Sequence, residues 1–311
     1  MGVMSSSENR RIPHLPNPDA DHYRLEGSDR PMPRTTAVID QGIGKPFLTK
    51  WAGNLERKAI LAELGDLLSE DLDPDTSADL VARLKKRLSP EPYCEVEKNA
   101  AGTFGTVVHG MVENYLLASL GGLAGEPAEI EMPTDPRFDP ELAARAGQLA
   151  IDWLEAVGFE PDPQGVEERL WSEDQHLWSA GTADAFGTAN LSQMVAHSHW
   201  NRPQTEAIDP ERRVPVLIDL KTSKSIGVSH KVQTAAYVTY LIERGRIEAP
   251  CHTCILRVAK TAEDRRPTEA VLIHPDEFPR YGGAFRYIRR IFNFLSQEDQ
   301  LERAYWRQSR T

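Results

Sequence analysis

The sequence predicts an α/β protein, with strands and amphipathic helices interleaved along most of the chain. Three observations support this. An apolar run, Val216-Leu217-Ile218, leads into Asp219-Leu220-Lys221-Thr222 and reads as a buried strand. Two further runs, 251–258 and 269–273, read as strands joined by a charged turn. Helical periodicity separates them: an alanine-rich stretch over 140–157 places Leu142, Leu149, Trp153 and Leu154 on one stripe, and 229–242 reads as another helix.

Taken in order, residues 1–22 are polar and dotted with Pro13, Pro16 and Pro18, the composition of a flexible tail. Positions 23–40 predict a short hairpin: Tyr23-Arg24-Leu25, a Gly27-Ser28-Asp29 turn, and an extended run to Ile39. Pro46 opens a helix carrying Phe47, Leu48 and Trp51 that continues through Ile60 and Leu64. A second amphipathic helix ends on Lys85, Lys86 and Arg87, charges that suit a helix C-terminus, and Pro90 and Pro92 stop it. Gly102 to Ala118 reads as a glycine-punctuated turn entering a helix, on which His109 and Glu113 share a face. A core histidine and a metal ligand are both open for His109 at this point.

After a loop over 119–135 and the helix at 140–157, residues 167–171 and 177–186 read as two strands of a hairpin. Aspartate is depleted from strands, so Asp184 marks a cap, a bulge or a ligand. Residues 188–213, with His197, His199, Trp200, Arg212 and Arg213, read as a polar flap near a site. On the strand that follows, Asp219 and Lys221 share one face and Leu220 the other. A strand-end salt bridge accounts for that pair taken alone; a cation site accounts for it in company. Gln233 and Tyr237 lie one turn apart on the next helix. The last helix carries Arg286, Arg289 and Arg290, candidate contacts to backbone phosphates.

Composition bounds the function. The chain has 311 residues and a formal net charge of −11, which excludes a protein that holds nucleic acid through a basic surface alone. Contacts to such a ligand would need local basic patches and bound cations, and would weaken with salt. No apolar run approaches the ~20 residues that span a bilayer, so no membrane partner is expected. Three cysteines, Cys94, Cys251 and Cys254, make no disulfide framework, and a reducing cytoplasm is the expected setting. Gly42-Ile43-Gly44-Lys45 lacks the spacing of a nucleotide-binding phosphate loop and runs into Pro46.

The order His109-x-x-x-Glu113, Gly181-x-x-Asp184, Asp219-x-Lys221-Thr222 and Gln233-x-x-x-Tyr237 resembles the RecB-type branch of the PD-(D/E)XK nuclease superfamily. It is similar to phage-encoded exonucleases and CRISPR-associated RecB-like exonucleases, with Thr35 to Ile39, Lys45-Pro46 and Trp51 matching the front end of the phage type. The resemblance implies a restriction-endonuclease-like core, a mixed central sheet flanked by helices. That nuclease domain would span 95–300, preceded by a hairpin and helices at 23–94 and followed by a tail at 301–311. One or two Mg²⁺ or Mn²⁺ ions would be held by His109, Asp184, Asp219 and the Leu220 carbonyl, with Glu113 as a ligand or as an orienting partner of His109. Lys221 would act on the attacking water or the scissile phosphate, and Gln233 and Tyr237 would position substrate or water. Thr222 and Lys224 join the three arginines as expected substrate contacts. Relatives with an iron–sulfur cluster use four cysteines; with three here, no cluster is expected. The implied activity is a DNA exonuclease of recombination, repair or degradation, working on linear ends with a possible helicase or recombination partner. A nicking or structure-specific endonuclease, an RNA-directed nuclease, and a non-catalytic nucleic-acid-binding adaptor on the same scaffold are the alternatives.

Overall fold

The apolar run at 214–220 lies inside a six-stranded mixed sheet in a computed structural model. The structure describes residues 22–308 except 26, 27, 29, 45, 70–76, 89, 124, 136 and 201–207. The expected tail at 1–22 therefore lies almost wholly outside the described residues.

The chain opens with β1 (His22–Arg24) and β2 (Pro31–Pro33), then α1 (Thr35–Gly42), α2 (Pro46–Ser69), α3 (Ser77–Arg87), α4 (Tyr93–Ser119) and α5 (Pro140–Ala156). The sheet region follows: β3 (Glu160–Ser172), β4 (Ser179–Asn190), α6 (Leu191–Ala196), β5 (His199–Trp200), β6 (Arg213–Lys221), α7 (Val228–Glu243), β7 (His252–Val258) and β8 (Thr268–Ile273). A 3₁₀ turn at Pro275–Glu277 leads into α8 (Phe278–Gln308). Spatial order in the sheet is β3-β4-β6-β7-β8-β5. The β3–β4, β4–β6 and β7–β8 pairs are antiparallel; β6–β7 and β8–β5 are parallel. The parallel β6–β7 pair needs a crossover, which α7 supplies.

Side-chain alternation gives the sheet two cores. Val214, Val216, Ile218 and Leu220 of β6 enter the one beneath α4 and α5; Leu217 enters the one shared with α1, α7 and α8. Asp219 and Lys221 share parity with Leu217, so both leave the sheet on the α7 side.

The structure corrects several sequence expectations. Thr35 to Ile39 is helical, not extended. Thr35 Oγ1 donates to the Ala180 carbonyl at 2.9 Å and lies 2.9 Å from Tyr240 Oη, while Val38 and Ile39 bury one helical face. Gly102 and Gly105 lie within α4 rather than before it. A Cβ on Gly105 would stand 3.2 Å from Thr222 Oγ1, so this position lets the end of β6 close on the helix. The expected flap at 188–213 returns to the sheet as α6 and edge strand β5, with 201–207 outside the described residues. Trp200 of β5 packs its ring edge-on to His274, with centroids 5.8 Å apart. Helix α8 continues to Gln308, past position 301 where the tail was expected. Among the described residues no helix is long and apolar enough to cross a membrane.

Candidate metal centre

Three elements far apart in sequence, α4, β3 and β4, bring His109, Glu167 and Asp184 together where the β4–β6 ladder ends, with Asp219 and Lys221 following on β6. His109 of α4 sets Nδ1 3.2 Å from Asp184 Oδ1 on β4. The other Asp184 oxygen accepts the Leu220 N–H of β6 at 2.6 Å. The β4–β6 ladder stops at Ala185↔Ile218, so a carboxylate takes over a backbone donor just where the strands part. Parity changes at the same point: Ala185 enters the α4–α5 core, but Ala183 enters the opposite one.

Across the β3–β4 hairpin, Val166↔Ala185 and Glu168↔Ala183 flank Glu167, which has a φ of 47°. This left-handed backbone is uncommon for a non-glycine residue and stores strain. His109, Glu167 and Asp184 each offer a ligand atom, all within 4.8 Å of one another. Glu113, one turn along α4 and half-buried, lines the same cavity as His109 and Glu167. That cavity has a volume of about 1070 Å³ and is also lined by Arg34, Thr182 and the segment 128–135.

On β6, Lys221 Nζ lies 2.6 Å from Asp219 Oδ2. The same oxygen is buried and makes no directed hydrogen bond, so the two are charges in contact rather than a well-oriented pair. The imidazole of His109 with the carboxylates of Glu167 and Asp184, their ligand atoms within 4.8 Å of one another, is a donor set a divalent cation takes. The residues therefore fit the expected ion.

Electrostatics separate the groups. Burial pushes Asp219 up to about 6 against the pull of Lys221. Burial and the neighbouring Asp184 charge push Glu167 up to about 8. Burial also acts upward on Asp184, but His109, Lys221 and the Leu220 N–H together bring it below the usual carboxylate range. Burial disfavours charge on His109 and Lys221, yet the facing acids win and raise both. Without a cation, Lys221 is thus held as an ammonium, contrary to the neutral amine that two bound ions would favour.

Gln233 and Tyr237 sit behind this centre, both buried, with Gln233 Nε2 donating to Tyr237 Oη at 2.9 Å. A Cβ on Gly181 would fall 2.6 Å from the Tyr237 ring, which accounts for glycine at the start of the Gly-x-x-Asp motif. Thr222 is nearly buried and Lys224 is exposed. Arg286 and Arg290 are exposed on α8. Arg289 is a correction: it is 2% exposed and donates to the carbonyls of Leu177 and Trp178, holding α8 to the β3–β4 turn rather than facing a substrate. Cys251 and Cys254 enter opposite cores, so they cannot ligate one cluster together.

Sequence reasoning passed over Glu167 and Arg34. A signal for the first was present: the hairpin register counted outward from Ser172↔Ser179 sets Glu167 opposite Asp184. Arg34 carried no such signal, because its place depends on where the hairpin at 22–33 packs. No protein-family model matches this sequence, and no curated protein matches it.

Proposed function

We propose that this chain is a metal-dependent nuclease of the RecB-like PD-(D/E)XK type that hydrolyses phosphodiester bonds at the ends of linear DNA in the cytoplasm, with or without a helicase or recombination partner. The observation that carries this reading is that His109, Glu167 and Asp184 from α4, β3 and β4 offer ligand atoms within 4.8 Å of one another, and that Asp184 is tied to the Leu220 N–H, between Asp219 and its ion-pair partner Lys221 on β6. His109, Asp184 and Glu167 would hold Mg²⁺ or Mn²⁺, with Asp219 on the neighbouring strand as the further acid that the sequence resemblance implies. Bound there, the ion supplies Lewis-acid stabilisation of the attacking and leaving oxygens.

The chain's own groups do the rest. Asp219 holds the Lys221 ammonium against the sheet end, where its protons can donate to a phosphate oxygen as charge builds on it. Asp184, fixed by the Leu220 N–H, holds His109 in one orientation. Tyr237, fixed by Gln233, closes the site from behind. In the hydrolysis, a water oxygen bonds to phosphorus and gives up one proton, the ester P–O bond breaks, and the leaving oxygen takes up a proton, so that one water is consumed.

End-labelled linear DNA incubated with Mg²⁺ or Mn²⁺ tests the reading. The wild type is expected to release short products and to leave closed circular DNA intact. Asp219→Ala is expected to fold and to lose cleavage to background; full cleavage by that variant would refute the assignment. Nicking of the closed circle would make the enzyme an endonuclease.

A further inference from the structure

The cavity in front of the metal centre is electrically lopsided. One wall, built from α4 and the extended segment 128–135, carries Glu113, Glu129, Glu131 and Asp135. Asn114 fixes that segment by exchanging two hydrogen bonds with the Ala128 backbone, at 2.7 and 2.9 Å, and Ile130 packs over Gly110. Arg34 and Thr182 line the cavity from the β3–β4 side, where Glu167 also lies. Resting on the nuclease reading, we propose that Arg34 binds a phosphate of the strand being cut, close to the scissile bond, and so fixes which lip of the cavity the backbone follows.

Position supports this. Arg34 bridges Ala180 of β4, four residues before Asp184, so its backbone lies roughly 13 Å along the strand from the metal ligand at about 3.3 Å per residue. A long side chain shortens that gap towards the reacting phosphate. Tyr23 braces the lip: the Arg34 guanidinium lies 5.8 Å from the centre of its ring, and its hydroxyl lies 3.4 Å from Thr182 Oγ1. Arginine presents a planar fork of donors that matches a phosphate. Four acids on the α4 wall repel a phosphate more strongly than the β3–β4 side, where Arg34 offsets Glu167, so the backbone favours the Arg34 side.

Steady-state cleavage of an end-labelled oligonucleotide across a KCl series, for wild type, Arg34→Ala and Arg34→Lys, tests the proposal. Circular dichroism establishes that each variant is folded. Arg34→Ala is expected to raise KM about tenfold with kcat nearly unchanged. It should also lower the slope of log KM against log salt by about one, the signature of one lost phosphate contact. Arg34→Lys should restore the slope. Unchanged KM and slope in a folded Arg34→Ala, or a loss confined to kcat, overturns the inference while leaving the nuclease reading in place. A wild type that cleaves nothing overturns both.

Discussion

Glu167 bears two penalties at one position. Its φ of 47° costs about 1 kcal/mol for a side chain with a Cβ, and its carboxyl is pushed up to about 8 by burial and Asp184. A carboxyl with a raised folded pKa stabilises the fold while protonated; that contribution is complete below the unfolded value and lost as pH rises through the folded one. At neutral pH and above, the residue is therefore a growing liability unless a cation shares its charge. Glu167→Gly removes both penalties and the ligand. The metal-free variant is expected to melt a few degrees higher than wild type. Its Mn²⁺ affinity is expected to fall about tenfold. A lower melting temperature with unchanged Mn²⁺ affinity would show that Glu167 is a structural residue and no ligand.

Element by element, what the sequence disclosed depended on how local the signal was. β6, α7, β7 and β8 were legible because period-2 and period-3.6 patterns sit within each segment. α1 was not, because Thr35 becomes helical through hydrogen bonds to β4 and α7, far along the chain. The start of α4 was hidden by Gly102 and Gly105, whose low helix propensity yields to close packing against β6. β5 has only two residues and exists because β8 and a pair of histidine rings receive it. On α8, spacing alone could not separate Arg289 from Arg286 and Arg290; burial does. Arg289→Met would take the guanidinium donor from the Trp178 carbonyl and leave the Leu177 carbonyl with the Ser179 hydroxyl. It is expected to cost about 2–3 kcal/mol in stability while leaving the salt dependence of DNA binding unchanged. A smaller salt slope in a variant of undiminished stability would return Arg289 to the substrate surface.

Across the whole molecule, one sheet serves two cores, and the centre lies where that division is disturbed. Parity shifts at Asp184, a left-handed residue stands opposite at Glu167, and the β4–β6 ladder ends beside them. Such faults in a regular sheet free acids and a lysine from the cores and aim them at a common space. His109, Asp184, Asp219 and Lys221 were picked out in the sequence because their motifs are short, and the structure pairs them as His109–Asp184 and Asp219–Lys221; Glu167 and the cavity walls were not, because they depend on the hairpin register, the segment at 22–34 and the segment at 128–135. Without a cation, the cluster holds protons on Asp219 up to about pH 6 and on Glu167 up to about pH 8. Mn²⁺ must compete with those protons, so its binding should strengthen as pH rises. Calorimetric titration of Mn²⁺ into the wild type, Asp184→Asn and Asp219→Asn at pH 5.5 and 8 measures this directly. The expected result is wild-type binding at pH 8, at least about tenfold weaker at pH 5.5, and lost in both variants. Equal Mn²⁺ binding by all three proteins, or none by the wild type at either pH, would contradict a shared metal centre.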